Sequence, residues 1–142
     1  MNLFCLEIRV LCLEIMEVKR NSFRDLNAYK ESKVLVKMTY QLLKKFPNEE
    51  KYALCEQIRR AVISVTSNIA EGTGRISVKE QMHFLEISYG SLMEVLSQMD
   101  IALDLGYIDC DEFGRYELQC NNCACLISGL RSYLERSLNS NH

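Results

Sequence analysis

From Asp25 to the end of the chain, proline occurs once, at Pro47, and only six glycines fall in the whole 142 residues. Tight turns depend on these two residue types, and a sandwich or barrel of short strands needs a turn every 8–12 residues or so. A chain with so few breakers cannot make those turns. It can make a few long helices, and the apolar residues recur at helical spacing between the breakers. The length suits one domain around one continuous core.

Four helices are expected. The first runs from about Asp25, a good N-cap, to Phe46, where Pro47 and Asn48 end it. Lys30, Lys33, Lys37, Gln41 and Lys44 fall on one side of it. Leu35, Val36, Met38, Tyr40, Leu42 and Leu43 spread over an arc wider than the roughly 100° of a simple surface helix. So broad an arc has two surfaces to bury, one in the bundle and one against a neighbouring subunit.

The second helix is expected from about Glu49 to Glu71, closed by Gly72 and Gly74. Leu54, Ile58, Ala61, Val62, Val65 and Ile69 form its apolar stripe. Beside them Gln57, Arg60, Ser64, Asn68 and Glu71 form a polar stripe, expected to be half-buried and hydrogen-bonded. Arg60 is the candidate partner of Glu94, which shares a face of the third helix with Ser91 and Gln98. Such a network fixes helix register rather than performing chemistry.

Ser77-x-x-Glu80 is a capping box opening the third helix, which should reach Leu105 before Gly106. Gly90 in its middle costs roughly 1 kcal/mol relative to alanine, which suggests close approach by another element. The fourth helix starts at Asp109 or Asp111 and carries Phe113, Tyr116, Cys120, Cys123, Ile127, Leu130 and Leu134 on one face. Residues 139–142 read as a frayed tail. Helices of this length with short connections pack up-down-up-down.

Residues 1–21 stand apart as an N-terminal extension. Cys5-Leu6-Glu7-Ile8 recurs at Cys12-Leu13-Glu14-Ile15, and Met16 offers an alternative start. The run lacks a basic leader and carries charges inside its apolar stretch, so it reads neither as a signal peptide nor as a membrane span. With seven cysteines, an odd number, a reducing cytoplasm with free thiols is expected.

The candidate sites point away from catalysis. Cys120, Cys123 and Cys125 do not converge as zinc ligands, because on a helix Cys125 faces about 140° away from Cys120 and about 160° away from Cys123. His83 lacks the partners a triad or a di-metal bundle needs. Gly72-Thr73-Gly74-Arg75 follows no strand and reads as a helix terminator rather than a phosphate loop. No enzyme activity, cofactor or metal is expected.

Charge is unevenly spread. Lys19 to Arg75 holds twelve Lys and Arg against six Asp and Glu, whereas Ile76 to His142 holds four against ten, within a formal net charge of −2. A basic half and an acidic half suit an anionic partner, subunits that pair basic to acidic surfaces or, equally, solvated helix faces that differ by chance.

The run Gln57-Ile58-Arg59-Arg60-Ala61-Val62-Ile63-Ser64-Val65, followed by Ser67-Asn68-Ile69-Ala70-Glu71-Gly72, resembles the four-helix bundle proteins encoded in 23S rRNA intervening sequences. Phe23-x-x-Leu26, Lys45-Phe46-Pro47, Gly90-Ser91-Leu92-x-Glu94 and Leu105-Gly106-Tyr107-Ile108 match in the same order. The resemblance covers about Ser22 to Leu134. It implies an all-α, antiparallel four-helix bundle over residues 22–138 and a ring-shaped homopentamer. It also implies kinship with the accessory protein of diversity-generating retroelements, thought to bind nucleic acid and a reverse transcriptase. Those proteins are strongly basic, unlike this mildly acidic chain.

The expected function is thus a non-catalytic scaffold that contacts RNA, a ribonucleoprotein or a nucleic-acid-processing protein through Lys30, Lys33, Lys37, Lys44, Arg59 and Arg75, with no membrane contact. The alternative is a protein–protein adaptor whose basic face meets a partner or an adjacent subunit.

Overall fold

A computed structural model describes residues 23–141, so the expectations for the N-terminal extension and Met16 lie outside the described residues. The described part is helical, without strands: α1 (Asn27–Leu43), a short 3₁₀ turn (Asn48–Glu50), α2 (Leu54–Thr73), α3 (Val78–Asp104) and α4 (Cys110–Ser140). α2 packs on α1 and α3, and α4 packs on the same two, so α1 and α3 stand at opposite corners of a four-helix bundle. Leu35, Ile58, Leu92, Met99, Tyr116 and Ile127 are fully buried between them. Among the described residues, no helix is long and apolar enough to cross a membrane.

Helix boundaries differ from expectation where burial overrides local signals. α1 is capped by Leu26 in extended backbone, not by Asp25. Leu26 lines an apolar hollow with Ile69, Leu85, Leu130 and Leu134, and seating it there decides where the helix starts. At its other end α1 tightens into 3₁₀-type turns through Phe46, which is buried. Residues 49–53 are not part of α2. Glu50 is held by the Tyr107 hydroxyl at 3.0 Å, and its other oxygen accepts from the Leu54 N–H at 3.3 Å. That carboxylate therefore serves the N-terminus of α2 from outside the helix.

Gly72 lies inside α2 rather than ending it. A Cβ there would sit 3.2 Å from Phe84 Cβ and 3.4 Å from the Gln81 carbonyl oxygen, so glycine allows α2 and α3 to touch. Gly74 is the C-cap. α4 extends through Asn139 and Ser140, residues expected to fray. At 31 residues against 17 for α1, it spans about 46 Å beside about 26 Å.

Ser77 caps α3 as expected, accepting from the Glu80 N–H. The α3–α4 connection follows the sequence closely. Gly106, at φ +77°, ends α3, with the Tyr107 N–H bonded to the Ala102 carbonyl and the Gly106 N–H to that of Leu103. Asp109 then opens α4 in a reciprocal capping box with Glu112.

Candidate interaction surfaces

The inner stripe of α1 is Ala28, Ser32, Leu35, Thr39 and Leu43. Tyr40, counted with the apolar arc in sequence, is instead 42% exposed, as is Val34, because the stripe turns through two hydroxyl residues. Each hydroxyl donates to the carbonyl four residues back, Ser32 to Ala28 and Thr39 to Leu35, both at 2.7 Å. That leaves the Thr39 oxygen to accept from the Tyr116 hydroxyl, 2.7 Å away on α4.

On the opposite side of α1, Lys30, Lys33, Lys37 and Lys44 are all exposed, with Tyr40 in the gap between Lys37 and Lys44. Glu31 is drawn aside: the Gln119 side-chain amide donates to its carboxylate at 2.8 Å and to its backbone carbonyl at 2.9 Å. Lys45 pairs with Glu112. Arg59 and Arg75 do not extend the lysine stripe into one patch. Arg59 is half-buried near the start of α2, where it donates to the Lys51 carbonyl at 3.4 Å. Arg75 lies past the other end of the helix, over the Phe84 ring at 4.6 Å.

The polar residues between α2 and α3 form a shorter network than the sequence suggested. Ser64 and Ser91 join hydroxyls at 2.8 Å, and the Asn68 amide donates to the Ser64 carbonyl and hydroxyl at 2.8 and 2.9 Å. Ser88, buried beneath them, donates to the Val65 carbonyl at 2.8 Å. Serine side chains this small let the two helices approach closely. Gln98 donates to Glu94 at 3.3 Å, while its own buried carbonyl oxygen has no partner among the described residues.

Gln57, Arg60 and Glu71 face outward. Arg60 and Glu94 are both exposed and form no ion pair with each other among the described residues. The cause is register: the buried stripe of α2 runs through Ile58, Ala61, Val62 and Val65, which rotates Arg60 into solvent.

Gly90 has no close neighbour either; a Cβ there would meet nothing within 4 Å among the described residues. It lies on an outward face of α3 that sequence reasoning passed over. Ile87, Met93, Ile101 and Leu105 are exposed there beside Glu94, Asp100 and Asp104. The signal for this face was present in the exposed spacing 87, 90, 94, 97 and 101. It was masked by the inner residues Leu92, Val95 and Met99, which share the same period.

The cysteines of α4 divide between two environments. Cys120 and Cys123 are buried, and Cys110 and Cys125 are exposed. Burial pushes the Cys120 thiol up to about 12 and the Cys123 thiol up to about 11, so both hold their protons. Protonated buried thiols are poor nucleophiles and poor ligands.

A family model described as 23S rRNA-intervening sequence protein matches residues 24–129, from just before α1 into the second half of α4. Comparison with curated proteins gives no match.

Proposed function

Because the chain belongs to the 23S rRNA-intervening sequence protein family, we propose that it is a non-catalytic four-helix scaffold that works as an assembly of its own copies. The observation that supports this is the mixed character of the outward faces of α1 and α3. Each carries charge of one sign, over Lys30–Lys44 on α1 and over Ile87–Leu105 on α3, together with exposed apolar side chains, over which no element of its own chain lies among the described residues. Charge alone keeps a helix face solvated, whereas charge with apolar residues at helical spacing is how a helix meets another helix. The expected assembly is the five-membered ring that the family resemblance implies. The reading gives the chain no reaction, cofactor or metal, and places it in a reducing cytoplasm.

A second use of the same scaffold, contact with RNA or a ribonucleoprotein, has its own supporting observation. Four exposed lysines flank Tyr40 along α1 over roughly 21 Å. Cations for phosphates and an aromatic ring for a base are what single-stranded RNA requires. A ring built through other faces would repeat that strip on every subunit and multiply weak contacts.

Size exclusion with light scattering tests the main reading: the mass should be several times 16.4 kDa. A monomer at micromolar concentration would reject the scaffold. Retention of single-stranded RNA, measured across a salt series, tests the second. Binding that falls steeply with salt, and that Lys30→Gln/Lys33→Gln/Lys37→Gln abolishes without changing the mass, would establish it. No retention even at about 50 mM salt would dismiss it.

A further inference from the structure

Among the described residues no element lies over the outward faces of α1 and α3, and these faces lie at opposite corners of the bundle, since α1 and α3 each pack on α2 and α4. Along α1 the exposed positions from Lys30 to Lys44 carry four lysines and no carboxylate, with Val34 and Tyr40 among them. Along α3 the exposed positions from Ile87 to Leu105 carry Glu94, Asp100 and Asp104 and no Lys or Arg, with Met93 and Ile101 among them. The stripes are opposite in charge, alike in apolar content and similar in length, about 21 and about 27 Å.

Their spacing also matches. Lys30, Lys33, Lys37, Tyr40 and Lys44 follow one another at three, four, three and four residues, and so do Ile87, Gly90, Glu94, Ser97 and Ile101. That alternation averages 3.5 residues, the period at which two helices stay in contact side by side. Gly90 supplies a further reason. Glycine in a helix interior weakens the helix, and nothing within its own chain explains it, because a Cβ there would meet open space among the described residues. Between Ile87 and Glu94 it leaves a notch that a bulky side chain from outside fills, and α1 presents Tyr40.

We propose that the outward face of α1 in one copy docks on the outward face of α3 in the next. The proposal rests on the self-assembly reading above and names its interface. The contact is heterologous, because each copy contributes two different surfaces. Copies therefore join head to tail, and the chain of contacts closes into a ring where the rotation per step allows. Pairing either face with itself would set like charges against each other, which disfavours a simple two-fold dimer. The lysine stems lie along the apolar residues of α3 while their ammonium groups reach the carboxylates.

The experiment is charge exchange, read by light scattering, with far-UV circular dichroism confirming the helices. Lys33→Glu/Lys37→Glu and Asp100→Lys/Asp104→Lys should each reduce the wild-type assembly to the 16.4 kDa protomer. All four substitutions in one chain should return the wild-type mass, and an equimolar mixture of the two double variants should also reassemble. Gly90→Gln fills the notch at a position with free space in its own chain, so it should weaken assembly while leaving the protomer folded.

Double variants or a Gly90→Gln protein that stay at the wild-type mass would overturn the interface. So would a fourfold variant that is helical but monomeric. A lysine variant that keeps its mass yet loses RNA would assign the stripe to nucleic acid and likewise overturn it. A monomeric wild type, by contrast, rejects self-assembly itself.

Discussion

The hydroxyl pair Thr39–Tyr116 joins α1 to α4 in the centre of the bundle, and its direction sets an asymmetry. The only Thr39 proton goes to the Leu35 carbonyl, so the tyrosine must donate. Tyr116→Phe removes that bond while leaving Thr39 its own, and should cost about 0.5–1.5 kcal/mol; Thr39→Val strands a buried donor and should cost about 1–3 kcal/mol. The double variant should cost less than the sum, and urea unfolding of the three proteins measures the difference.

Tyr116 with its buried neighbours also makes the protein sensitive to alkali. Burial raises the Tyr116 phenol and the Cys120 and Cys123 thiols, so each binds its proton more tightly folded than unfolded. Their contribution is complete below the ordinary thiol value of 9.0. It is lost as pH rises toward the folded values of about 11 and about 12. The urea midpoint should therefore hold up to about pH 8 and fall steadily above pH 9 or so; a flat profile to pH 11 would contradict it. Periodicity alone placed Tyr116, Cys120 and Cys123 in the core. The buried Ser32 and Thr39 of α1 could not be found that way, because a buried hydroxyl satisfied by its own helix looks like a surface residue in sequence.

Individual helices were most legible at their ends. Ser77, Gly106 and the Asp109–Glu112 box act through neighbours within five residues, so the sequence holds the whole interaction. Leu26 does not: it outcompetes Asp25 as the cap of α1 by reaching Ile69 and Leu130, far along the chain. Arg60 shows the same limit, since one helical step decides whether it lies in a seam or in water. The glycines separate by the same logic. Gly114 and Gly129 face open space on α4 among the described residues, and alanine at either should raise stability by about 0.5–1 kcal/mol through helix propensity. Gly72→Ala should instead lower it, because the new methyl meets Phe84 at 3.2 Å. Gly106→Ala should lower it too, since the residue sits at positive φ. Thermal melts of the four variants, two up and two down, check the set.

At the scale of the molecule, the basic half of the sequence supplies α1 and α2 and the acidic half α3 and α4, and the lysine stripe of α1 and the carboxylate stripe of α3 come to lie at opposite corners of the bundle. Composition could reveal the imbalance but not its geometry, because opposition across the bundle requires knowing which helices touch. A different consequence follows from the length of α4, which outlasts α1 by almost half its own extent. Its middle, around Tyr116 to Ile127, is enclosed by the bundle, whereas beyond Arg131, among the described residues, α1 has ended and Leu134, in the hollow with Leu26, Ile69 and Leu85, is the last apolar side chain packed on the core. Opening free energy follows enclosure, so a single continuous helix should unzip from one end. In native-state amide hydrogen–deuterium exchange, protection along α4 should peak near Cys120–Cys123 and decline turn by turn toward Ser140. Uniform protection along all 31 residues would mean that another body encloses that end.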